Sequence, residues 1–383
     1  MKTYAILGSG MQGTAAAYDL AKFANTDCVK MGDVSYDQAK AASDRVNKLV
    51  GREICEPHKV DALDAESLGG FINGAAVLLS CVPYWMHPKI AKVAVAHKVS
   101  MVDLGGNTDI THETLALDES AKAAGVTLIP DTGLAPGLVN SLGLYAIEQL
   151  DEAESVKMYC GVLPQNPVPP LNYKTTFNVE GLVTEYDFQA VTLRNGDIHM
   201  VDTLTELEEL HIPELGEMEA FVTSGGTSTA PYTLKGRVKN YDYKTIRYPG
   251  HCQFMKMFKD SGLWGFDEVN VKGTMVKPRE VWYKVFGEYL NSFVDLDLCA
   301  VRAVGEGTKD GKPHRVQLDI LDKQCEETGF TSMERLTGFS MSIYAIEVAE
   351  GRVDRGAIRY ESAITGTKFV EEIQKRGVKI RFS

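Results

Sequence analysis

MKTYAILGSGMQG, residues 1–13, is the stretch on which the fold turns. An apolar run, Tyr4 to Leu7, leads directly into glycines at positions 8, 10 and 13, and the chain behind them turns helical through Ala15, Ala16, Ala17 and Leu20. Strand, tight turn and helix in that order open a dinucleotide-binding unit. Gly8 takes the turn, Gly10 lets backbone N–H groups approach a pyrophosphate, and Gly13 lets the helix pack closely on the strand. Ser9, Met11 and Gln12 complete the loop, which faces the anion from the positive end of the helix dipole.

A second hydrophobic segment, Cys28 to Met31, ends at Asp33, twenty positions after Gly13. A dinucleotide fold places there the carboxylate that binds the adenosine ribose hydroxyls. Val34 follows, and no Lys or Arg appears before Lys40. A 2′-phosphate would meet repulsion and no counter-charge, so the cofactor expected is NAD rather than NADP.

Outward from this unit the pattern keeps alternating. A helix is expected over about Tyr36–Leu49, a strand ending in Val60-Asp61-Ala62, and a helix near Ala65–Ile72. The run Ala75 to Pro83 is apolar along its length, as a strand buried on both faces should be, and a helix follows from Pro88 to His97. SMVDLGG (100–106), a helix near Glu113–Ala124 and VTLIPDTG (126–133) complete six strand signals. The expectation is an α/β Rossmann domain over residues 1–135 with a doubly wound parallel sheet. Its ligand should lie beyond the carboxyl ends of the strands, which carry the glycine loop, Asp33, Asp61, Cys81, Val82, Pro83, Gly105 and Asp131.

Past a helix expected at Pro136–Leu150 the pattern changes. Val156–Val162, Tyr173–Phe177 and the segments flanking Asn195-Gly196 read as strands, the last pair as a type I′ hairpin. Lys309-Asp310-Gly311-Lys312 marks another hairpin, between Leu296–Val304 and Arg315–Leu321. With helices at Gly250–Ser261, Arg279–Leu290 and Met333–Ala349, this predicts an α+β second domain over residues 136–330 on a largely antiparallel sheet, and a C-terminal segment, 331–383.

The 383 residues suit two domains. A formal charge of −12 argues against nucleic acid or an anionic membrane surface as partner, since phosphate binding needs concentrated Lys and Arg. Seven scattered cysteines without a CxxC pair imply neither a disulfide framework nor a zinc knuckle, and the eight histidines show no ligand spacing, so no metal is expected. Met1 opens onto a strand and no apolar run approaches about 18 residues, which points to a cytoplasmic protein.

Three polar patches in the second domain are candidates for chemistry: Asn172-Tyr173-Lys174, TSGGTST (223–229) with Thr227 in it, and YKTIRYPGH (243–251). Thr245 and Arg247 project from one strand face, and the guanidinium fork of Arg247 suits an amino-acid carboxylate. His251 stands near a helix start as a candidate base.

The motifs GSGMQG, VDLGG, PDTGLAPGLVN (130–140), YCGVLP (159–164), NYKTTFNVEGL (172–182), SGGTST and YKTIRYPGH, with KRGV (375–378) late in the chain, together resemble the saccharopine dehydrogenase-like superfamily. Within it the nearest likeness is to the lysine 6-dehydrogenases. That likeness implies NAD-dependent oxidative deamination of the lysine ε-amine to allysine, which cyclises to 1-piperideine-6-carboxylate. It also implies a C-terminal segment that returns to the nucleotide domain and a homodimer or higher homo-oligomer. Saccharopine reductases of the superfamily carry a Tyr-Lys pair matching Tyr173-Lys174 and a Thr and an Arg matching Thr245 and Arg247, all near the substrate. Lysine 6-dehydrogenases tend to have Asn where this chain has Lys174, so a saccharopine-type C–N oxidoreductase is the alternative, and a non-catalytic NAD sensor a further one. Amine oxidation needs a proton acceptor, for which His251, Lys174 with a depressed pKa or a bound water are candidates, while Asp131 could hold the substrate ammonium.

Overall fold

The computed structural model describes residues 1–175, 179–293 and 295–383. Strand β1 (Thr3–Leu7) and helix α1 (Met11–Phe23) frame the glycine loop. They are followed by β2 (Cys28–Asp33), α2 (Tyr36–Val50), β3 (Cys55–Lys59), α3 (Ala65–Ile72), β4 (Val77–Ser80), α4 (His87–Ala96), β5 (Ser100–Asp103), α5 (Thr108–Leu115), α6 (Asp118–Ala124) and β6 (Thr127–Ile129). The sheet order is β3-β2-β1-β4-β5-β6, every pair parallel, with the short strand Gly356–Ala357 added beside β6. Helices cover both faces, so β1 buries Tyr4 and Ile6 in one core and Ala5 and Leu7 in the other. The chain departs in opposite directions from β1 and β4, and the crevice that opens between their carboxyl ends is where such sheets take ligands.

Helix α7 (Val139–Glu148) leads into β7 (Glu152–Pro164), which lies inside a second, nine-stranded sheet. Its order is Glu208–Ile212, Gly216–Val222, Asn240–Arg247, β7, Asp297–Lys309, Lys312–Lys323 and Ile380–Phe382, with the hairpin Gln189–Arg194/Asp197–Asp202 alongside Asn240–Arg247. All pairings are antiparallel except that of β7 with Asn240–Arg247. Both turn dipeptides behave as their chemistry requires. Asn195 and Gly196 have φ of +51° and +86°, Asp310 and Gly311 +51° and +70°, the pair of positive values of a type I′ turn.

Several boundaries differ from expectation. Strand β3 stops at Lys59, so Asp61 falls in the turn beyond it, where its carboxylate accepts from the Leu63 N–H. The single helix expected at Glu113–Ala124 is two, α5 and α6, and the helix expected from Pro136 begins in a π-helical turn, Leu134–Leu138, that runs into α7. Part of the strand expected at Tyr173–Phe177 lies outside the described residues, and Tyr173 to Thr175 are not strand. The C-terminal segment serves both halves. Helix Ser332–Ala349 packs on α1, where Gly338 leaves room that a Cβ would close at 2.8 Å from Ala15 Cβ, and Gly356–Ala357 joins the first sheet. Strand Ile380–Phe382, however, joins the second.

Candidate active site

A cavity of about 1360 Å³ runs from the carboxyl ends of β4, β5 and β6 to the face of the second sheet. Beside the end at β4 and β5 lies the glycine loop, of which only Gln12 is on the cavity wall. A Cβ on Gly8, which has φ +94°, would sit 2.6 Å from the Cys81 carbonyl oxygen, and one on Gly13 would sit 2.0 Å from the Gly8 carbonyl oxygen. A Cβ on Gly10 would meet nothing within 4 Å. Gly8 and Gly13 are therefore close-packed, while Gly10 borders open space. Helix α1 has no side-chain cap and no acid in its first turn, where Met11 and Gln12 stand, and Gln12 reaches the cavity wall. An uncapped, acid-free N-terminus is suited to a pyrophosphate.

Asp33 closes the loop. Its two carboxylate oxygens accept from the N–H groups of Ser9 and Ser35, each at 3.0 Å, and the next residue, Val34, is exposed. Cys81, Val82, Pro83 and Gly105 line the wall beyond β4 and β5. Gly105 has φ +75° and donates to the Asp103 carboxylate at 2.8 Å. Of the other residues expected to hold a dinucleotide, Gly8, Ser9, Gly10, Met11, Gly13, Asp33, Val34 and Asp61 stand off this wall. These residues fit a dinucleotide on two counts, the open space at Gly10 and the free helix end.

The substrate end is made of side chains. Thr245 and Arg247 both reach the cavity from one face of strand Asn240–Arg247. Thr245 is bonded to Thr223 at 2.7 Å. The Arg247 guanidinium lies 4.9 Å from the centre of the Tyr173 ring and donates from Nε to the Tyr186 hydroxyl at 3.0 Å, from NH1 to the Ile246 carbonyl at 3.0 Å and from NH2 to Glu185 at 3.5 Å. Tyr173 also lines the cavity, and so do Cys160 and, from the TSGGTST loop, Gly225, Gly226 and Ser228.

Three other expected residues point elsewhere. The Thr227 hydroxyl donates to the Val191 carbonyl at 2.6 Å, behind the loop. The Lys174 ammonium donates to the Asp295 carbonyl and stands off the cavity wall. His251 is buried off the wall, against Tyr186 and the wall residue Tyr173, and its pKa is pushed down to about 3 by burial and by the Arg247 charge. An imidazole so placed is neutral and does not face a substrate amine.

Asp131, by contrast, lines the cavity at the end of β6, with φ +68°. One oxygen accepts from Thr111 at 3.0 Å and from Ser228 at 2.6 Å, so it joins the two domains. Burial and the neighbouring Asp103 carboxylate raise its pKa to about 7, against the pull of those two hydroxyls. Four further carboxylates on the wall had no signal in the sequence: Asp109, Glu180, Glu185 and Asp187. Three of them lie on helix Val179–Asp187, where acids beside aromatic residues look like any solvated helix face. Asp187 is paired with Arg279, and Glu185 has its pKa raised by burial despite Arg247. Among the described residues no cluster of His, Cys, Asp and Glu could hold a metal ion, and no helix is long and apolar enough to cross a membrane.

Residues 4–129 match the family model described as the saccharopine dehydrogenase NADP binding domain, and residues 133–378 that of the saccharopine dehydrogenase C-terminal domain. Alpha-aminoadipic semialdehyde synthase of Arabidopsis thaliana is 32% identical over 231 residues, 57% of this chain and 21% of that protein. Saccharopine dehydrogenase [NADP(+), L-glutamate-forming] of Pyricularia oryzae is 25% identical over 224 residues, 55% of this chain and 48% of that one. The chain thus spans less than half the length of these two relatives. Carboxynorspermidine synthase of Vibrio cholerae is 24% identical over 279 residues, covering 68% and 66%. In fold, the chain is similar to apo saccharopine dehydrogenase (L-Glu forming) from Saccharomyces cerevisiae, with a TM-score of 0.80 at 19% identity over 100% of this chain and 99% of that one. With two adjoining family models running from residue 4 to residue 378, the chain belongs to the saccharopine dehydrogenase family.

Proposed function

We propose that the protein is a nicotinamide-dependent oxidoreductase of a C–N bond in an amino acid, and that its substrate is L-lysine, oxidised at the ε-amine to allysine with NAD. The observation that carries the choice of substrate is the charge of the cavity wall. Among the described residues it presents one guanidinium, Arg247, against five carboxylates, of which Asp187 is paired with Arg279 behind the wall and Glu185 lies 3.5 Å from Arg247 itself, leaving Asp109, Asp131 and Glu180 without a cation partner on the wall. Lysine brings one carboxylate and two amines. Saccharopine brings three carboxylates, and Lys174, which could have served a second one, is turned onto the Asp295 carbonyl. The glycine loop and Asp33 favour NAD, although the matching family model is named for NADP.

The dinucleotide, when bound, accepts a hydride from Cε, and the imine is then hydrolysed by water. In this reading Arg247 grips the α-carboxylate and so fixes the length of chain that reaches the end of β6. Asp131 waits there with a pKa of about 7, able to take the proton that the ε-ammonium must lose before hydride can leave. A screen of reduced-cofactor formation over lysine, ornithine and saccharopine with NAD and with NADP tests the proposal. Turnover of lysine with NAD is expected. Turnover of saccharopine without lysine would overturn the substrate, and no turnover of any would leave a cofactor-binding module.

A further inference from the structure

His251 is buried against the site yet takes no part in the reaction above. We propose that His251 is a positioning residue: as a neutral hydrogen-bond acceptor it orients the Tyr186 hydroxyl, which in turn fixes the plane of the Arg247 guanidinium for a substrate carboxylate. The inference rests on the reading of Arg247 as the carboxylate clamp.

The argument is one of donors and acceptors. The Tyr186 oxygen lies 3.0 Å from Arg247 Nε and 3.1 Å from His251 Nε2. Arginine Nε can only donate, so the phenol oxygen accepts there and its proton goes to the imidazole. His251 Nε2 must then be bare, and the ring proton belongs on Nδ1, which faces the Leu171 carbonyl at 3.4 Å. The chain Arg247 to Tyr186 to His251 to Leu171 runs in one direction only. A protonated imidazole would present a donor to Tyr186, strand the phenol proton and set a second cation beside Arg247. Burial and that same charge hold the ring neutral.

Aromatic packing fixes the ring itself. Tyr173 meets it edge-on at 5.1 Å and Phe221 stacks on it at 6.4 Å. The guanidinium thus has two firm anchors, Tyr186 at Nε and the Ile246 carbonyl at NH1. Without an acceptor for its proton, Tyr186 turns toward another partner, and Arg247 keeps the charge but loses the orientation on which a bidentate contact depends.

The test compares His251→Phe, which keeps the ring and removes the acceptor, with His251→Gln, whose amide oxygen can accept from Tyr186 and whose N–H can reach Leu171. For His251→Phe, KM for lysine is expected to rise about tenfold with kcat changed less than about threefold and the pH profile unmoved, and His251→Gln should recover most of the loss. A kcat loss with a displaced pH profile would make His251 a base and overturn the inference, as would an unchanged KM in folded His251→Phe. A second readout needs no substrate. Nitrogen-15 NMR of the unmodified protein should show His251 neutral at pH 6 with its proton on Nδ1, and the Arg247 Nε–H signal should move in His251→Phe and return in His251→Gln. A cationic ring, the other tautomer or an unmoved Arg247 signal overturns the inference whether or not lysine is the substrate. Failure of lysine turnover with the NMR pattern intact would count against the proposed substrate alone.

Discussion

The nucleotide loop beside the cavity and the substrate end of the cavity are assembled from different materials. At the nucleotide end the work falls to backbone: the turn at Gly8, the close approach of Gly13, the free N–H groups of α1 and a carboxylate held by two main-chain amides. At the substrate end it falls to side chains that first satisfy one another, Arg247 on Tyr186, Thr245 on Thr223, Asp131 on Thr111 and Ser228. Backbone sites depend on steric permission at single positions, whereas side-chain sites depend on which neighbours the fold supplies. Substitutions in the two regions should therefore fail in different ways.

The largest difference should appear within the glycine loop. Gly13→Ala forces a Cβ to within 2.0 Å of the Gly8 carbonyl, a backbone atom with nowhere to go, and should cost about 3 kcal/mol or more of stability. Gly10→Ala adds its Cβ to open space, so the melting temperature should hold while dinucleotide affinity falls. Thermal melts and calorimetric titration with NAD distinguish these outcomes, and equal behaviour of the two variants would break the account of the loop.

At the other end, Arg247→Lys keeps the charge and loses the fork. A loss on the order of 2 to 5 kcal/mol in kcat/KM for lysine is expected, mostly through KM, with NAD affinity unchanged. If lysine kinetics survive and only stability falls, Arg247 is a structural member of the Tyr186–Glu185 cluster and not a clamp.

This contrast also explains what could be read in the sequence. Gly8, Gly13, Asn195-Gly196 and Asp310-Gly311 were legible because a backbone requirement selects the residue type at the position itself. The first sheet followed from the apolar runs of β1 and β4 alternating with helices, whereas the edge strand β3, Cys-Glu-Pro-His-Lys, carries no such run and was expected later, ending at Ala62. Thr245 and Arg247 followed from period-two alternation, which places them on one face wherever the strand lies. Which face looks into a cavity is a tertiary fact. His251 and Lys174 carry the right chemistry, yet one is buried against Tyr186, off the wall, and the other turned to Asp295. Glu180, Glu185 and Asp187 became wall residues only because helix Val179–Asp187 buries Leu182, Val183 and Tyr186 in a cluster with Phe221 of the second sheet. Helix Gly366–Lys375, packed on α7, was not expected, although Phe369, Val370 and Ile373 share one helical face behind the N-cap Thr365.

Cofactor choice is a smaller effect that sharpens the nucleotide half. Asp33 is fixed by the Ser9 and Ser35 amides, so its charge cannot swing away from a 2′-phosphate. The unmodified protein should prefer NAD, and Asp33→Ala combined with Val34→Arg should shift the ratio of affinities toward NADP by about ten- to a hundredfold. Equal affinity of the unmodified protein for the two cofactors would remove Asp33 from the argument.

The smallest expected effect is on stability at Asp131, and its sign is informative. The folded protein holds this carboxyl at about 7, above its ordinary value of 3.8, so between those two pH values the folded chain binds more protons than the unfolded one. Stability contributed by the site is then full near pH 4 and declines as pH rises toward 7, where the buried carboxylate must ionise beside Asp103, with Glu361 adding repulsion. Asn cannot ionise, tolerates the positive φ and can still accept from Thr111 and Ser228 through its amide oxygen. Asp131→Asn should therefore leave the melting temperature at pH 4 nearly unchanged and raise it at pH 8, by on the order of 1 kcal/mol or about 2 °C in a chain of this length. The same substitution removes the proton acceptor and should abolish the fall in kcat/KM expected below pH 7, along with most of the activity. Stability gained only at high pH, together with activity lost at every pH, is the pattern of a carboxylate kept under strain for a chemical use. A melting temperature that drops equally at both pH values would instead make Asp131 an ordinary tie between the domains.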